Sequence, residues 1–220
     1  MASYFITATG TGAGKTYVTA GLIKAGKELK KEIAAIKPVM TGYDPDLAAE
    51  SDAGILLEAM GRPVTPRNIA GISPWRFTAP LSPDMAGVRE GKRVAFDDLI
   101  TFCRAASVAS RGPLLIEGVG GVAVPMNDSN LVADWIAALQ VPALLVCGTY
   151  LGSISHTLTS LGFLVQQHIK IAGVVLNESP ASPVLPEETA ATLERFINCP
   201  IHIVPRDFDD GTFRKIAARL

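Results

Sequence analysis

The sequence predicts a single-domain α/β fold over residues 1–220, with a mostly parallel central sheet and helices on both faces. Three observations lead there. Short β-branched runs alternate with longer helix-like stretches along the whole chain. Those runs are continuously apolar, as strands covered on both faces must be. A glycine-rich segment follows the first run and opens the first amphipathic stretch.

In chain order, Tyr4–Thr7, Ile33–Pro38, Leu114–Glu117, Ala143–Cys147, Ala172–Leu176 and Ile201–Val204 read as strands. Between the first two, Lys15–Lys30 places Val18, Leu22, Ala25 and Leu29 on one helical face. Asp97–Ala109, Ser129–Leu139, Ser153–His168 and Pro186–Ile197 read as further helices, with Ser129 as an N-cap and Pro142 closing the third. Right-handed crossovers in such a sheet gather the carboxyl ends of all the strands on one rim, where ligands bind. From Arg62 to Pro83, prolines at 63, 66, 74, 80 and 83 interrupt any period, and the stretch reads as one long loop.

Composition excludes several classes of function. Lys and Arg number 20 against 21 Asp and Glu, so no concentrated basic excess marks a nucleic-acid footprint. Hydrophobic residues make up 48% of the 220, enough for a large core. No apolar run approaches the ~18 residues of a membrane span, and the N-terminus lacks the pattern of a signal peptide. Cys103, Cys147 and Cys199 form neither a CxxC pair nor a disulfide framework. These points predict a cytoplasmic protein. The cysteines and methionines read as core, and Trp75 and Trp135 as packing residues.

The segment Ala8-Thr9-Gly10-Thr11-Gly12-Ala13-Gly14-Lys15-Thr16 carries the most chemistry. Glycines let backbone N–H groups turn inward around a polyphosphate, and the following helix adds positive potential at its N-terminus. Lys15 would reach the β- and γ-phosphates and the Thr16 hydroxyl would hold Mg²⁺. The usual pattern has glycine where Thr9 stands, and dimeric ATPase switches carry a lysine where Gly10 stands. Acidic partners for the metal are expected at strand ends: Glu117 ends one run, and Asp52 opens a helix. By itself Asp52 reads first as a charge at a helix N-terminus. Lys37 ends the second strand before Pro38 and Gly42, which suits an anionic substrate or a transferring phosphoryl group. Asn177 ends the fifth run, either as a turn former or as a carboxamide facing a purine edge. Leu151–His156 opens a helix whose amides suit a carboxylate, with His156 packing against it.

Taken in order, Thr9-x-Thr11-x-Ala13-Gly14-Lys15-Thr16, Lys37-Pro38-Val39-x-Thr41-Gly42, Ser51-Asp52-Ala53, Pro80–Pro83, Glu117–Gly121, Ala133-Asp134-Trp135 and Leu151–His156 resemble the dethiobiotin synthetases of biotin biosynthesis. The resemblance runs from Tyr4 to about Pro205. It implies a P-loop NTPase-like fold and an ATP-dependent cyclo-ligase. Such an enzyme takes 7,8-diaminopelargonic acid (7,8-diaminononanoate), CO₂ and MgATP to dethiobiotin, ADP and phosphate, through a carbamate and a carbamic-phosphoric anhydride. It further implies catalytic Lys37, Lys15 and Thr11; ATP binding by Gly12, Ala13, Gly14, Lys15, Thr16, Glu117, Asn177 and Pro205; magnesium on Thr16, Asp52 and Glu117; and substrate on Thr41, Gly152 and Ser153. The last two would bind its carboxylate near the interface of a homodimer. The chain departs from the family at Ala8, Gly10, Gly12 and Ser155, where glycine, acidic residues and asparagine are usual. Two other readings compete: another ATP-dependent ligase of the same fold, such as a cobyrinate amidation enzyme, and a nucleotide-binding ATPase switch.

Overall fold

Continuous apolar runs make a fully buried sheet. In a computed structural model that describes residues 2–206 and 211–220, six strands form one all-parallel sheet. They are β1 (Ser3–Ala8), β2 (Ala34–Ile36), β5 (Leu114–Glu117), β6 (Ala143–Cys147), β7 (Ile171–Asn177) and β8 (Ile201–Val204). Their order across the sheet is β2-β5-β1-β6-β7-β8. Every residue of β5 and β6 is buried, which requires cover on both faces. Helix α1 (Lys15–Glu28) packs with α2 (Asp52–Met60) and α9 (Thr212–Arg219). Elsewhere α5 (Phe96–Ala109) meets α6 (Val132–Leu139), and α7 (Ser153–Gln166) meets α8 (Pro186–Leu193).

Strand β1 lies at the reversal of strand order. The chain leaves it outward to β2, returns through β5 beside it, then proceeds on its other side through β6, β7 and β8. Ligands of open parallel sheets bind at this switch point, outside the carboxyl ends. Ala8, Ile36, Glu117, Cys147, Asn177 and Val204 terminate the strands on that single rim. The largest anchor beneath it is Trp135, wholly buried, its ring edge-on to Phe5 of β1 at 4.7 Å between centroids.

The expectation of one long loop over 62–83 is overturned. Thr65 accepts a hydrogen bond from the Asn68 N–H through its hydroxyl and caps α3 (Pro66–Ile72). Pro66 occupies the first turn, where its missing N–H costs nothing. β4 (Trp75–Phe77) then pairs in parallel with β3 (Val39–Thr41) in a small second sheet, and α4 (Pro83–Glu90) starts on another proline. Prolines that looked like breakers are helix starts. Ser129 is likewise not the cap of α6: its N–H donates to Asn127 Oδ1, and α6 begins at Val132, with the Leu131 N–H donating to the Asp134 carboxylate. Met85 is exposed instead of core, and α9 lies where no helix was expected.

Candidate active site

The loop between β1 and α1 closes on a glycine that leaves no room for a side chain. Gly14 sits at φ +97°, and a Cβ there would run into the Asn177 carboxamide. Asn177 Nδ2 donates to the Ala13 carbonyl at 3.1 Å, tying the end of β7 to the loop. A carbonyl only accepts, so the nitrogen must face the loop, and the carboxamide oxygen is the end turned elsewhere.

Lys15, Thr16, Lys37, Asp52 and Glu117 are distant in sequence but meet as one hydrogen-bonded cluster at the rim. Lys37 follows β2 and is 2% exposed. Its ammonium reaches Glu117 Oε1 at 2.8 Å, the Gly118 carbonyl at 2.8 Å and Asp52 Oδ2 at 2.8 Å, so its three donors have three acceptors. Burial works against the charged amine, but Glu117 and then Asp52 outweigh it and raise the Lys37 pKa above the usual lysine value. Asp52 shows the mirror image: partial burial raises its pKa, and Lys37 and the Thr16 hydroxyl bring it below the usual carboxylate value. With one pKa raised and the other lowered, both charges persist at neutral pH. Lys15 donates to the Gly120 carbonyl at 2.7 Å and lies farther, 3.5 Å, from that of Gly10.

Two details of this cluster ask for a cation. Thr16 Oγ1 lies 2.7 Å from Asp52 Oδ1 and 2.7 Å from Glu117 Oε1, yet a hydroxyl has one proton to give. Glu117 is wholly buried, and although Lys37 meets its Oε1, its Oε2 has no hydrogen-bond partner among the described residues, which is costly for a buried carboxylate oxygen. A hard divalent ion fits this all-oxygen donor set, with phosphate and water completing its shell. Among the described residues no group of three or more His, Cys, Asp and Glu could hold a metal alone.

Lys15 is held differently from Lys37. Burial is the main cause, and the nearby Lys37 adds to it; Glu117 and Asp52 oppose, but the pKa still falls from 10.5 to about 8. Because the unfolded chain keeps this proton up to about pH 10.5, Lys15 weighs against folding below pH 8, and that cost fades as pH rises from 8 toward 10.5. A bound polyphosphate would restore the charge. ADP binding at pH 9 should therefore take up about one proton per site, read by calorimetry in buffers of different ionisation heat. Binding without uptake would contradict this.

Two clefts share the ridge Thr9-Gly10-Thr11. One, about 400 Å³, is lined by that ridge, Gly12, Ala13, Asn177, Ser179 and Arg206. The other, about 420 Å³, has Val122, Val124 and Phe163 opposite the ridge. Pro205 is the first residue past β8, immediately before Arg206 in the cleft wall. No hydrogen bond or ion pair joins Thr41, Gly152 or Ser153 to the charged cluster among the described residues. Thr41 ends β3, and Gly152 caps α7 at φ +97°. The Ser153 N–H is already taken by the Tyr150 carbonyl, at 3.0 Å. The Gly118 and Gly120 carbonyls that hold the two lysines escaped sequence reasoning, because backbone acceptors leave no side-chain signature beyond the glycines of their turn. Tyr150, a further wall of the first cleft, also escaped it; its hydroxyl bonds His156 Nδ1 at 2.8 Å.

A family model described as an AAA domain matches residues 2–206. The ATP-dependent dethiobiotin synthetase of Acidiphilium cryptum is 50% identical to this chain over 198 residues, 90% of this chain and 89% of that protein. That of Methylobacterium nodulans is 41% identical over 213 residues, 94% of each. Among solved structures, the MinD cell division protein of Aquifex aeolicus superposes with a TM-score of 0.55 at 15% identity, covering 97% of this chain and 87% of that one. Chloroplast FtsY from Physcomitrella patens also gives 0.55, at 14% identity and with 98% and 64% covered. At such identities these two show a shared fold and no more.

Proposed function

The chain belongs to the dethiobiotin synthetase family, and from that premise we propose that it closes the ureido ring of dethiobiotin from 7,8-diaminopelargonic acid, CO₂ and MgATP. It is an ATP-dependent cyclo-ligase. The observation that carries the detailed reading is the hydrogen-bonded cluster of Lys15, Thr16, Lys37, Asp52 and Glu117 beside the phosphate loop.

One substrate amine adds to CO₂ and loses a proton, giving a carbamate. The carbamate oxygen attacks the γ-phosphorus, ADP leaves, and a carbamic-phosphoric anhydride remains. The second amine then attacks the carbonyl carbon; phosphate departs and the ring closes. The first encounter brings two anions together, so cations must be in place before it happens. Lys15 and Lys37 supply fixed positive charge at the rim, and Thr11 stands on the ridge between the two clefts. Thr16, Asp52 and Glu117 would hold magnesium, which when bound offsets phosphate charge. The cleft past the ridge, with Val122, Val124 and Phe163, suits the methylene chain of the diamine acid. Thr41 would face its reacting end. The α7 N-terminus at Gly152 and Ser153 would take its carboxylate from across a homodimer, where a second copy would cover the exposed Leu151.

Base recognition follows from Asn177, with the backbone near Pro205 beside it. A carboxamide oxygen accepts from the amino group of adenine or cytosine and repels the carbonyl of guanine or uracil. No described helix is long and apolar enough to cross a membrane, and a cytoplasmic setting suits these soluble reactants.

The deciding experiment combines diaminopelargonate, bicarbonate and MgATP and follows product by mass. Dethiobiotin should appear in step with ADP, and about tenfold or more slowly with GTP or UTP. ADP release that ignores the diamine would point instead to a nucleotide switch.

A further inference from the structure

We propose that Tyr17 is a nucleobase-stacking residue, so that the first turn of α1 grips the phosphates and the flat base of one nucleotide together. The inference rests on the ATP-site reading above and adds a residue to it.

Tyr17, Asn177, Glu178 and Arg206 enclose a cleft of about 320 Å³ next to the phosphate loop. Tyr17 follows Thr16 directly, so a molecule held by Lys15 and Thr16 has this ring within reach of its far end. The ring is 50% exposed, leaving apolar surface to cover. It is also braced from behind. Phe213 of α9 meets it edge-on, 5.8 Å between centroids, and Phe213 can lie there because a Cβ on Gly21 would come within 2.6 Å of its ring. Gly21 thus admits Phe213 onto α1, and Phe213 limits the positions open to Tyr17. The other wall is tied down as well. The Arg206 N–H donates to Glu178 Oε2 at 2.9 Å, and the Glu178 N–H donates to the Val204 carbonyl at 3.0 Å, joining the ends of β7 and β8. A ring held in place at a polar cleft floored by a carboxamide is a stacking platform. Every base has a π-face, so Tyr17 supplies affinity while Asn177 chooses the edge.

The test compares binding of MgADP and of inorganic tripolyphosphate, which has no base, to wild type, Tyr17→Ala and Tyr17→Phe. Tyr17→Ala should weaken ADP about tenfold, the size of one lost stacking contact, and leave tripolyphosphate affinity at its wild-type value. Tyr17→Phe keeps the ring and should bind ADP as wild type does. If Tyr17→Ala binds ADP normally, or loses ADP and tripolyphosphate equally, the stacking role is wrong. If wild type binds neither probe, the ATP-site reading fails first and this inference falls with it.

Discussion

Replacing Lys37 with methionine should lower dethiobiotin formation by about 10²- to 10³-fold, the usual loss when one preorganised charge-stabilising group is removed. The same change should also destabilise the fold. It leaves the buried Glu117 carboxylate without its nearest cation, and breaking a buried pair from one side costs about 3–5 kcal/mol. Urea unfolding of Lys37→Met measures the second effect, and product formation measures the first. The two separate in the double variant Lys37→Met/Glu117→Gln, which removes both charges. Its stability should recover most of the loss while turnover stays low. Recovered turnover would mean that Lys37 serves only to neutralise Glu117 and has no part in the encounter between carbamate and γ-phosphate.

Glu117→Gln should cut affinity for the divalent ion by at least about tenfold, since even residues that merely orient a metal ligand are worth 10–100-fold. The amide oxygen can still accept from Lys37 and Thr16, which stand 2.8 and 2.7 Å from Oε1 in the native site, so the geometry is largely kept and the charge is what disappears. Titrating Mn²⁺ into the ADP complex and following free ion by electron spin resonance reads this without turnover. Unchanged affinity would remove Glu117 from the metal site and leave it only as the anchor of Lys37. The charge balance changes too. Two ammonium groups and two carboxylates become two and one, so the variant should unfold at lower temperature whether or not metal is added.

The phosphate loop was legible in the sequence because all its parts are consecutive. A strand, glycines at 12 and 14, Lys15 and Thr16 form a unit that local chain geometry alone positions. The strands were legible for a related reason, since burial on both faces leaves unbroken apolar runs. The stretch from Arg62 to Pro83 misled, because a proline's missing N–H is the same whether it breaks a helix or starts one. The presence of a Thr65 cap is what tells these cases apart, and the β3–β4 pairing depends on a partner more than thirty residues away. Ser129 misled in the opposite way: its residue type suits a cap, but its backbone is drawn into the Asn127 turn.

Around the reacting centre the division is sharper. Which residues carry charge, which loop takes phosphate and which family the ordered motifs resemble were properties of the chain read in one dimension, because covalent neighbours and side-chain chemistry suffice for them. That one ammonium is shared between Asp52 and Glu117, that Glu117 keeps a buried oxygen unpartnered among the described residues, that Lys15 loses basicity where Lys37 gains it, and that Tyr17 faces a cleft were decided only by the fold. Those are facts about distance and exclusion of water. Electrostatic energies depend on both, and neither exists until the strands have brought residues 80 positions apart to within 2.8 Å.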